Sequence, residues 1–130
     1  LVHDLDAMER RMTNNTRMVF VCNPNNPTGT ILSASRMKDF CASMSKQTVV
    51  FADEAYFDYI TEPNYPSMVE LVKQGHNVIV SRTFSKVYGL AGLRIGYAIG
   101  QPDLIRKLSA YQMGPVINQA ALAAAKVSLN

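Results

Sequence analysis

The chain has 130 residues, which is enough for one domain with a hydrophobic core but too few for two ordinary domains. Hydrophobic residues make up 48% of it and charged residues 18%, which is typical of a soluble globular protein and excludes a disordered or fibrous chain. The net charge of +3 is small and the basic residues are dispersed, so nucleic acid is not an expected partner.

The cysteines and histidines do not form the spaced clusters of disulfide-rich or metal-binding proteins. Cys22 and Cys41 are expected to be small core residues of a protein in a reducing, cytoplasmic compartment. His3 and His76 lack metal-ligand spacing, so we expect surface histidines and no metal site. No apolar run reaches the about 18 residues that a membrane span needs, so a membrane is not an expected partner either.

Three continuous apolar runs rich in β-branched residues predict strands over 18–22, 48–52 and 77–81. Continuous runs are typical of strands that are buried on both faces of a parallel sheet, and their spacing of about 30 residues fits βαβ units. A fourth run, over 93–99, follows after a gap too short for a parallel crossover, so we expect it to run antiparallel. The predicted fold is therefore α/β, with a mostly parallel sheet, one antiparallel strand and flanking helices.

The segments between and after these strands have helical spacing. A helix over 33–44 with Ser33 as its N-cap would bury one apolar face. That face consists of Met37, Phe40, Cys41 and Met44. A proline is expected to begin a short helix over 66–73. Two further helices are predicted, over 102–111 and from 116 to the end of the chain.

Polar residues follow three of the predicted strands. The first leads into Asn-Pro-Asn-Asn-Pro-Thr-Gly at 23–29, where proline and glycine predict a rigid loop. The second leads into Asp-Glu-Ala-Tyr at 53–56, and its aspartate needs a cation or hydrogen-bond donors there. The third leads into Ser-Arg-Thr-Phe-Ser-Lys at 81–86. Because ligands of parallel sheets bind at the carboxyl ends of the strands, these loops and Arg94 predict one site.

The side chains at this edge match the shape of pyridoxal phosphate. A lysine suits its aldehyde, an aspartate suits its pyridine nitrogen, and small hydroxyls with an arginine suit its phosphate. Arg94 is expected to lie inside the fourth strand and to be partly buried, since its neighbours are apolar. Glu54 is expected to be solvated or paired with a near neighbour.

Four motifs together resemble the signature blocks of the fold-type I, class I/II aminotransferases, which are pyridoxal-phosphate enzymes. They occur in the family's order and spacing, and the resemblance covers nearly the whole chain. Within that family the blocks are most similar to those of histidinol-phosphate aminotransferases. The motifs are Asn23 to Gly29, Asp53 to Tyr56, Ser85-Lys86 and Gly92 to Gly96.

The resemblance implies a role for each matching residue. Lys86 would be the catalytic lysine that binds the cofactor as a Schiff base and then moves the α-proton of the substrate. Asp53 would hold the pyridine nitrogen, and Asn26 and Tyr56 would contact the phenolic oxygen. The remaining implied cofactor-binding residues, which would contact the phosphate, are Thr83, Ser85 and Arg94.

The same resemblance implies how much of an enzyme is present. Residues 1–130 would form the central part of the large, cofactor-binding domain, without the N-terminal segment and the C-terminal small domain. The complete enzyme would be a homodimer whose missing parts grip the substrate carboxylate. It would transfer an amino group between an amino donor and a 2-oxo acid. The amino donor would be histidinol phosphate or an aromatic amino acid.

Other interpretations of the sequence differ in what they require. A pyridoxal-phosphate decarboxylase or lyase would need the same Asp53 and Lys86, so the fold does not exclude it. An inactive fragment or a stand-alone binding domain would need no turnover. A nucleotide-binding domain is disfavoured because neither GxxxxGK[ST] nor GxGxxG occurs. Tyr97 and Tyr111 are expected to be core or interface aromatics, and the resemblance places Tyr59 near the substrate.

Overall fold

A computed structural model describes residues 2–112, 114 and 117–129. Helices and strands alternate through most of the chain, and two single 3₁₀ turns lie at Phe57–Tyr59 and Ala91–Leu93. The elements in chain order are α1 (Leu5–Arg10), β1 (Met18–Cys22), α2 (Ala34–Met44), β2 (Val49–Asp53), α3 (Val69–Lys73), β3 (Val78–Thr83), β4 (Gly96–Ile99), α4 (Pro102–Ser109) and α5 (Gln119–Ser128).

The four strands form one sheet in the order β1-β2-β3-β4. The first three strands are parallel and β4 pairs antiparallel with β3, so the predicted fold class is confirmed. Cys22 pairs with Asp53, and Asp53 pairs with Ser81, so the carboxyl ends of the parallel strands lie side by side. Since β4 runs the other way, its first residue, Gly96, lies at this same edge beside Thr83.

The main core lies between the sheet and helices α2 and α3. Alternate strand residues point to it, among them Val21, Val50 and Val80, each of which is fully buried. The predicted apolar face of α2 is confirmed, because Met37, Phe40, Cys41 and Met44 all belong to this core. Both cysteines are buried, as expected, and burial raises the pKa of the Cys41 thiol to about 12.

The opposite face of β1 is open, so the prediction of burial on both faces is wrong for this strand, whereas the consecutive residues Val78, Ile79 and Val80 of β3 are all buried. Met18 and Phe20 are 48% and 51% exposed, and the Phe20 ring stacks on Phe51 with 5.6 Å between centroids. Within the described residues α2 and α3 pack on one side of the sheet only, and β1 is its edge strand. Continuous apolar residues therefore indicated a strand correctly but not what covers each of its faces.

The ends of several elements also differ from the sequence prediction. α3 begins at Val69 rather than at the proline. Ser33 is the N-cap residue of α2 and has an extended backbone, but its side chain forms no capping hydrogen bond. β4 begins at Gly96 rather than at residue 93. The two last helices are shorter than predicted. Of the segment predicted to be helical from residue 116 onward, Val116 and Asn130 lie outside the described residues.

Replacing Phe40 by alanine should lower the free energy of unfolding of the chain by about 3–5 kcal/mol. The ring is 3% exposed and fills the space between α2 and the sheet, so the change leaves a cavity. A urea titration followed by circular dichroism measures the change. Val127→Ala is the matched control, because that side chain is 76% exposed and should change stability by less than about 0.5 kcal/mol. Equal effects of the two changes would contradict this account of the core.

Two expectations about the surface can be compared with the structure. Among the described residues, no helix is both long and apolar enough to cross a membrane, and no group of three potential metal ligands occurs. The histidines are half-buried rather than simple surface residues. His3 Nε2 lies 3.0 Å from the Cys22 carbonyl oxygen, and His76 Nδ1 lies 2.8 Å from Ser45 Oγ.

Candidate functional site

The loop after β1 is anchored by Asn23, which is only 3% exposed. Its side-chain oxygen accepts a hydrogen bond from the Leu32 backbone N–H at 2.9 Å, and its amide nitrogen donates to the Tyr65 hydroxyl at 2.7 Å. The Tyr65 hydroxyl in turn donates to the Leu32 carbonyl oxygen at 2.8 Å. These bonds satisfy the buried amide and fix where the loop leaves the sheet, which supports the prediction of a rigid loop.

The middle of this loop presents Asn26 to the next strand end. The Gly29 N–H donates to the Asn25 carbonyl oxygen at 2.7 Å, and Gly29 has φ of +67°, a conformation that glycine adopts without strain. The turn leaves Asn26 exposed, and its amide nitrogen donates to the Tyr56 hydroxyl at 3.2 Å. Residues from the ends of β1 and β2 therefore meet at this point.

Asp53 ends β2, and its carboxylate has the donors that its position requires. Asp53 Oδ1 accepts from the Ala55 N–H at 3.0 Å and from Ser81 Oγ at 3.1 Å. Within the described part of the chain Oδ2 accepts no hydrogen bond, so this second oxygen is the one available to a ligand. The carboxylate is thus oriented by β3 and by its own turn, and none of the described Lys and Arg side chains forms a salt bridge with it.

The loop after β3 contains the lysine. Thr83 Oγ1 accepts from the Ser85 N–H at 3.1 Å, which closes a tight turn directly before Lys86. Lys86 is exposed, and its Nζ lies 5.1 Å from the centroid of the Tyr56 ring. The ammonium therefore lies over the face of the same tyrosine whose hydroxyl contacts Asn26.

Arg94 does not lie inside the antiparallel strand, and it is exposed rather than partly buried. Its φ of 52° and ψ of 58° are left-handed, and a residue in that conformation cannot continue a strand. The guanidinium still points to the loop of the lysine, because Nη1 donates to the Ala91 carbonyl oxygen at 2.8 Å and lies 3.5 Å from Ser85 Oγ. Arg94 therefore lies near the loop of the lysine, as predicted, although the prediction that it lies inside a strand is wrong.

An open cavity of about 390 Å³ borders this group of residues. Its walls include Asn26, Tyr56 and Tyr59, together with the loop after β1, whereas Asp53 and Lys86 do not line it. Tyr59 is 55% exposed and its ring centroid lies 6.2 Å from that of Tyr56. Tyr56 therefore borders the cavity and also contacts Lys86, which lies outside the cavity lining.

Two polar residues of this edge were not recognised in the sequence. Glu54 is buried, so the expectation that it is solvated or paired locally is wrong. It forms a salt bridge at 2.7 Å with Arg82, which is 28 residues away in the sequence. The sequence feature that could have indicated this pair is the position of each residue at the carboxyl end of a parallel strand. The ends of neighbouring parallel strands lie close together in space. Tyr97 packs on Phe84 but is 37% exposed, and Tyr111 is 87% exposed, so neither is a core residue.

Proteins of known name are similar to this chain in sequence and in fold. A family model described as aminotransferase class I and II matches residues 2–130. A histidinol-phosphate aminotransferase from Moorella thermoacetica is 47% identical over 128 residues, which are 98% of this chain and 33% of that protein. The chain thus spans about a third of the length of the curated relatives it matches.

Solved structures of aminotransferases and of a decarboxylase are also similar to this chain. The histidinol-phosphate aminotransferase of Sinorhizobium meliloti, in complex with pyridoxal-5'-phosphate, has a TM-score of 0.82 and 34% identity, and the match covers 96% of this chain and 33% of that one. The L-threonine-O-3-phosphate decarboxylase of Porphyromonas gingivalis has a TM-score of 0.79 and 30% identity, with 88% and 34% covered. On the evidence of the sequence match and the fold, the chain belongs to the aminotransferase class I and II family.

Proposed function

We propose that this chain is the cofactor-binding part of a pyridoxal-phosphate-dependent aminotransferase. The observation that carries the proposal is the convergence of three strand ends on Tyr56. Its hydroxyl accepts from Asn26 at 3.2 Å, and Lys86 Nζ lies 5.1 Å from its ring centroid. An amine, an amide and a phenol meeting at the carboxyl edge of a parallel sheet suit a planar ligand that carries a carbonyl group.

The donors present fit pyridoxal phosphate. Asp53 Oδ2, to which no described residue donates, can accept from a protonated ring nitrogen, and Asn26 and Tyr56 offer donors for a phenolic oxygen. Ser85 and Arg94, 3.5 Å apart, offer a hydroxyl and a guanidinium for a phosphate, together with the nearby Thr83 hydroxyl. When bound, the cofactor supplies an aldehyde that condenses with amines and a ring that accepts electrons.

The chain's own residues would then do the following. Lys86 Nζ would hold the cofactor and, once an amino acid had displaced it, would take the proton from the substrate α-carbon and deliver it to the carbon that was the cofactor's aldehyde carbon. The Asp53 carboxylate keeps a proton on the ring nitrogen by its negative charge. The Tyr56 and Asn26 side chains would fix the orientation of the cofactor ring, since their hydrogen bond holds both in place.

The substrates follow from the relatives rather than from this chain's geometry. We propose histidinol phosphate or an aromatic amino acid as amino donor and a 2-oxo acid as acceptor, because a relative with 47% identity is a histidinol-phosphate aminotransferase. The complete enzyme would be a cytoplasmic homodimer in which residues 1–130 form part of the large domain. An N-terminal segment and a small domain outside this chain would bind the substrate carboxylate.

A second candidate is decarboxylation on the same scaffold. The Porphyromonas gingivalis decarboxylase aligns over 88% of this chain at 30% identity. Asp53 and Lys86 would serve either reaction, because both begin by weakening a bond at the substrate α-carbon. The parts of the enzyme that choose which bond breaks are those that grip the carboxylate, and these would lie outside the chain.

Assays of the complete enzyme separate the two reactions. Histidinol phosphate or an aromatic amino acid with 2-oxoglutarate should give glutamate and the matching carbonyl product, with no release of carbon dioxide. Glutamate formation and carbon dioxide are measured in parallel, with boiled enzyme as the control. Carbon dioxide as the main product, without amino transfer, would contradict the proposal. The isolated 130-residue chain should bind the cofactor weakly and show no turnover.

A further inference from the structure

Glu54 forms an unusually complete set of contacts for a residue next to a candidate cofactor site. Its side chain is 3% exposed. Oε1 accepts from the Met68 N–H at 2.7 Å, directly before α3. Oε2 accepts from Ser67 Oγ at 2.8 Å and from Arg82 Nη2 and Nε at 2.7 and 3.1 Å. One carboxylate therefore joins the end of β2, the start of α3 and strand β3.

Arg82 is fixed on its other sides as well. Its guanidinium carbon lies 4.2 Å from the centroid of the Phe57 ring, and Nη1 lies 3.9 Å from the Asp58 carboxylate. The cation also opposes the rise in the pKa of the Tyr97 hydroxyl that burial causes. Its backbone pairs with Tyr97 of β4, and the two strands approach so closely that a Cβ on Gly96 would lie only 2.8 Å from the Arg82 carbonyl oxygen.

The pair lies between the proposed cofactor residues without being one of them. Glu54 lies between Asp53 and Tyr56 in the chain, and Arg82 is four residues before Lys86. The salt bridge consequently connects the end of β2, where the aspartate and tyrosine lie, with strand β3, which leads into the loop that carries the lysine. The stacking of Phe57 on the guanidinium fixes the turn directly after the tyrosine.

A stabilising role alone is a poor explanation for such a pair. Removing two charges from water costs about as much as their attraction returns, so buried ion pairs contribute little net stability. They do define geometry, because a guanidinium binds a carboxylate in a fixed planar arrangement. Among the described residues, this salt bridge has the least exposed pair of side chains, 18% for Arg82 and 3% for Glu54, and it lies at the edge that carries the lysine.

We propose that Glu54 and Arg82 are positioning residues that set the distance between the two cofactor loops before the cofactor binds. The inference rests on the proposed function. It extends that function by assigning two residues that would touch neither cofactor nor substrate. In the absence of the pair the site would have to be assembled during binding, so affinity for the cofactor would fall.

The test is made with the complete enzyme, and two properties of each variant are measured. These are the melting temperature of the cofactor-free protein and the Kd for pyridoxal 5'-phosphate, measured by absorbance titration. Arg82→Met should lower the melting temperature, because Glu54 stays buried without its cation, and should raise Kd by about 10- to 100-fold. Adding Glu54→Gln removes the unpaired charge, so the double variant should melt within about 2 °C of wild type and still bind the cofactor weakly.

Arg82→Lys gives a second test that does not depend on the double variant. It keeps the charge but loses the planar contact with Glu54 and the stack on Phe57, so Kd should rise with little change in melting temperature. Arg36→Met is the matched control, because that arginine pairs with Asp6 on the surface, and both properties should stay at wild-type values.

The outcomes that overturn the inference are distinct from failure of the proposed function. Wild-type Kd in the double variant or in Arg82→Lys would show that the pair stabilises the fold only. A rise in Kd that merely follows the loss of melting temperature across all variants, the control included, would show the same. If the wild-type enzyme itself binds no pyridoxal 5'-phosphate, the proposed function is wrong and the inference falls with it.

Discussion

Replacing Lys86 by alanine in the complete enzyme is expected to lower kcat for amino transfer by about 1000-fold or more. The change removes both the amine that holds the cofactor and the base that moves the α-proton. Alanine should do little to the fold, because the Lys86 side chain is exposed and contacts the Tyr56 ring through its terminal Nζ. Glutamate formation under saturating substrate measures kcat. Borohydride treatment followed by peptide mass spectrometry shows whether the cofactor becomes attached at residue 86.

The matched control for this prediction is Lys73→Ala. Lys73 is exposed at the end of α3, and its replacement should leave both kcat and cofactor attachment unchanged. The wild-type enzyme should carry the borohydride-fixed cofactor on the peptide that contains Lys86, and the Lys86 variant should carry none. Full activity of Lys86→Ala, or attachment at another lysine, would refute the role proposed for this residue.

Replacing Asp53 by asparagine should give the second largest loss, about 100- to 1000-fold in kcat. Asparagine has the same shape, and its side-chain oxygen can still accept from the Ala55 N–H and Ser81 Oγ. It lacks the negative charge that would keep a proton on the ring nitrogen, so electrons from the substrate would be accepted poorly. Stopped-flow measurement of the first half-reaction isolates this step from substrate binding.

Ser81→Ala separates the charge of Asp53 from its orientation. This variant removes the 3.1 Å hydrogen bond to Oδ1 but keeps the carboxylate, so kcat should fall by about 10-fold or less. A larger loss in Ser81→Ala than in Asp53→Asn would mean that orientation matters more than charge. Unchanged kcat in Asp53→Asn would refute the proposed contact with the ring nitrogen.

The sheet could be predicted from the sequence because its signals are local. Runs such as 18–22 and 77–81 contain the residues that fill a core, and the gap before the fourth run was too short for a crossover. The candidate site followed from the sheet, since parallel strands bring their carboxyl ends to one edge. Asn26, Tyr56 and Lys86 could therefore be grouped before any distance was known, and the structure does place them in contact.

Other features could not be predicted, because they depend on groups distant in the sequence. The Glu54–Arg82 pair joins residues 28 positions apart, and only the register of β2 with β3 brings them together. The left-handed backbone of Arg94 and the open face around Phe20 likewise depend on what packs nearby. The sequence by itself determined the fold class and which residue types end each strand. Only the tertiary structure decided which of them pair and which are exposed, since pairing and burial depend on distance in space.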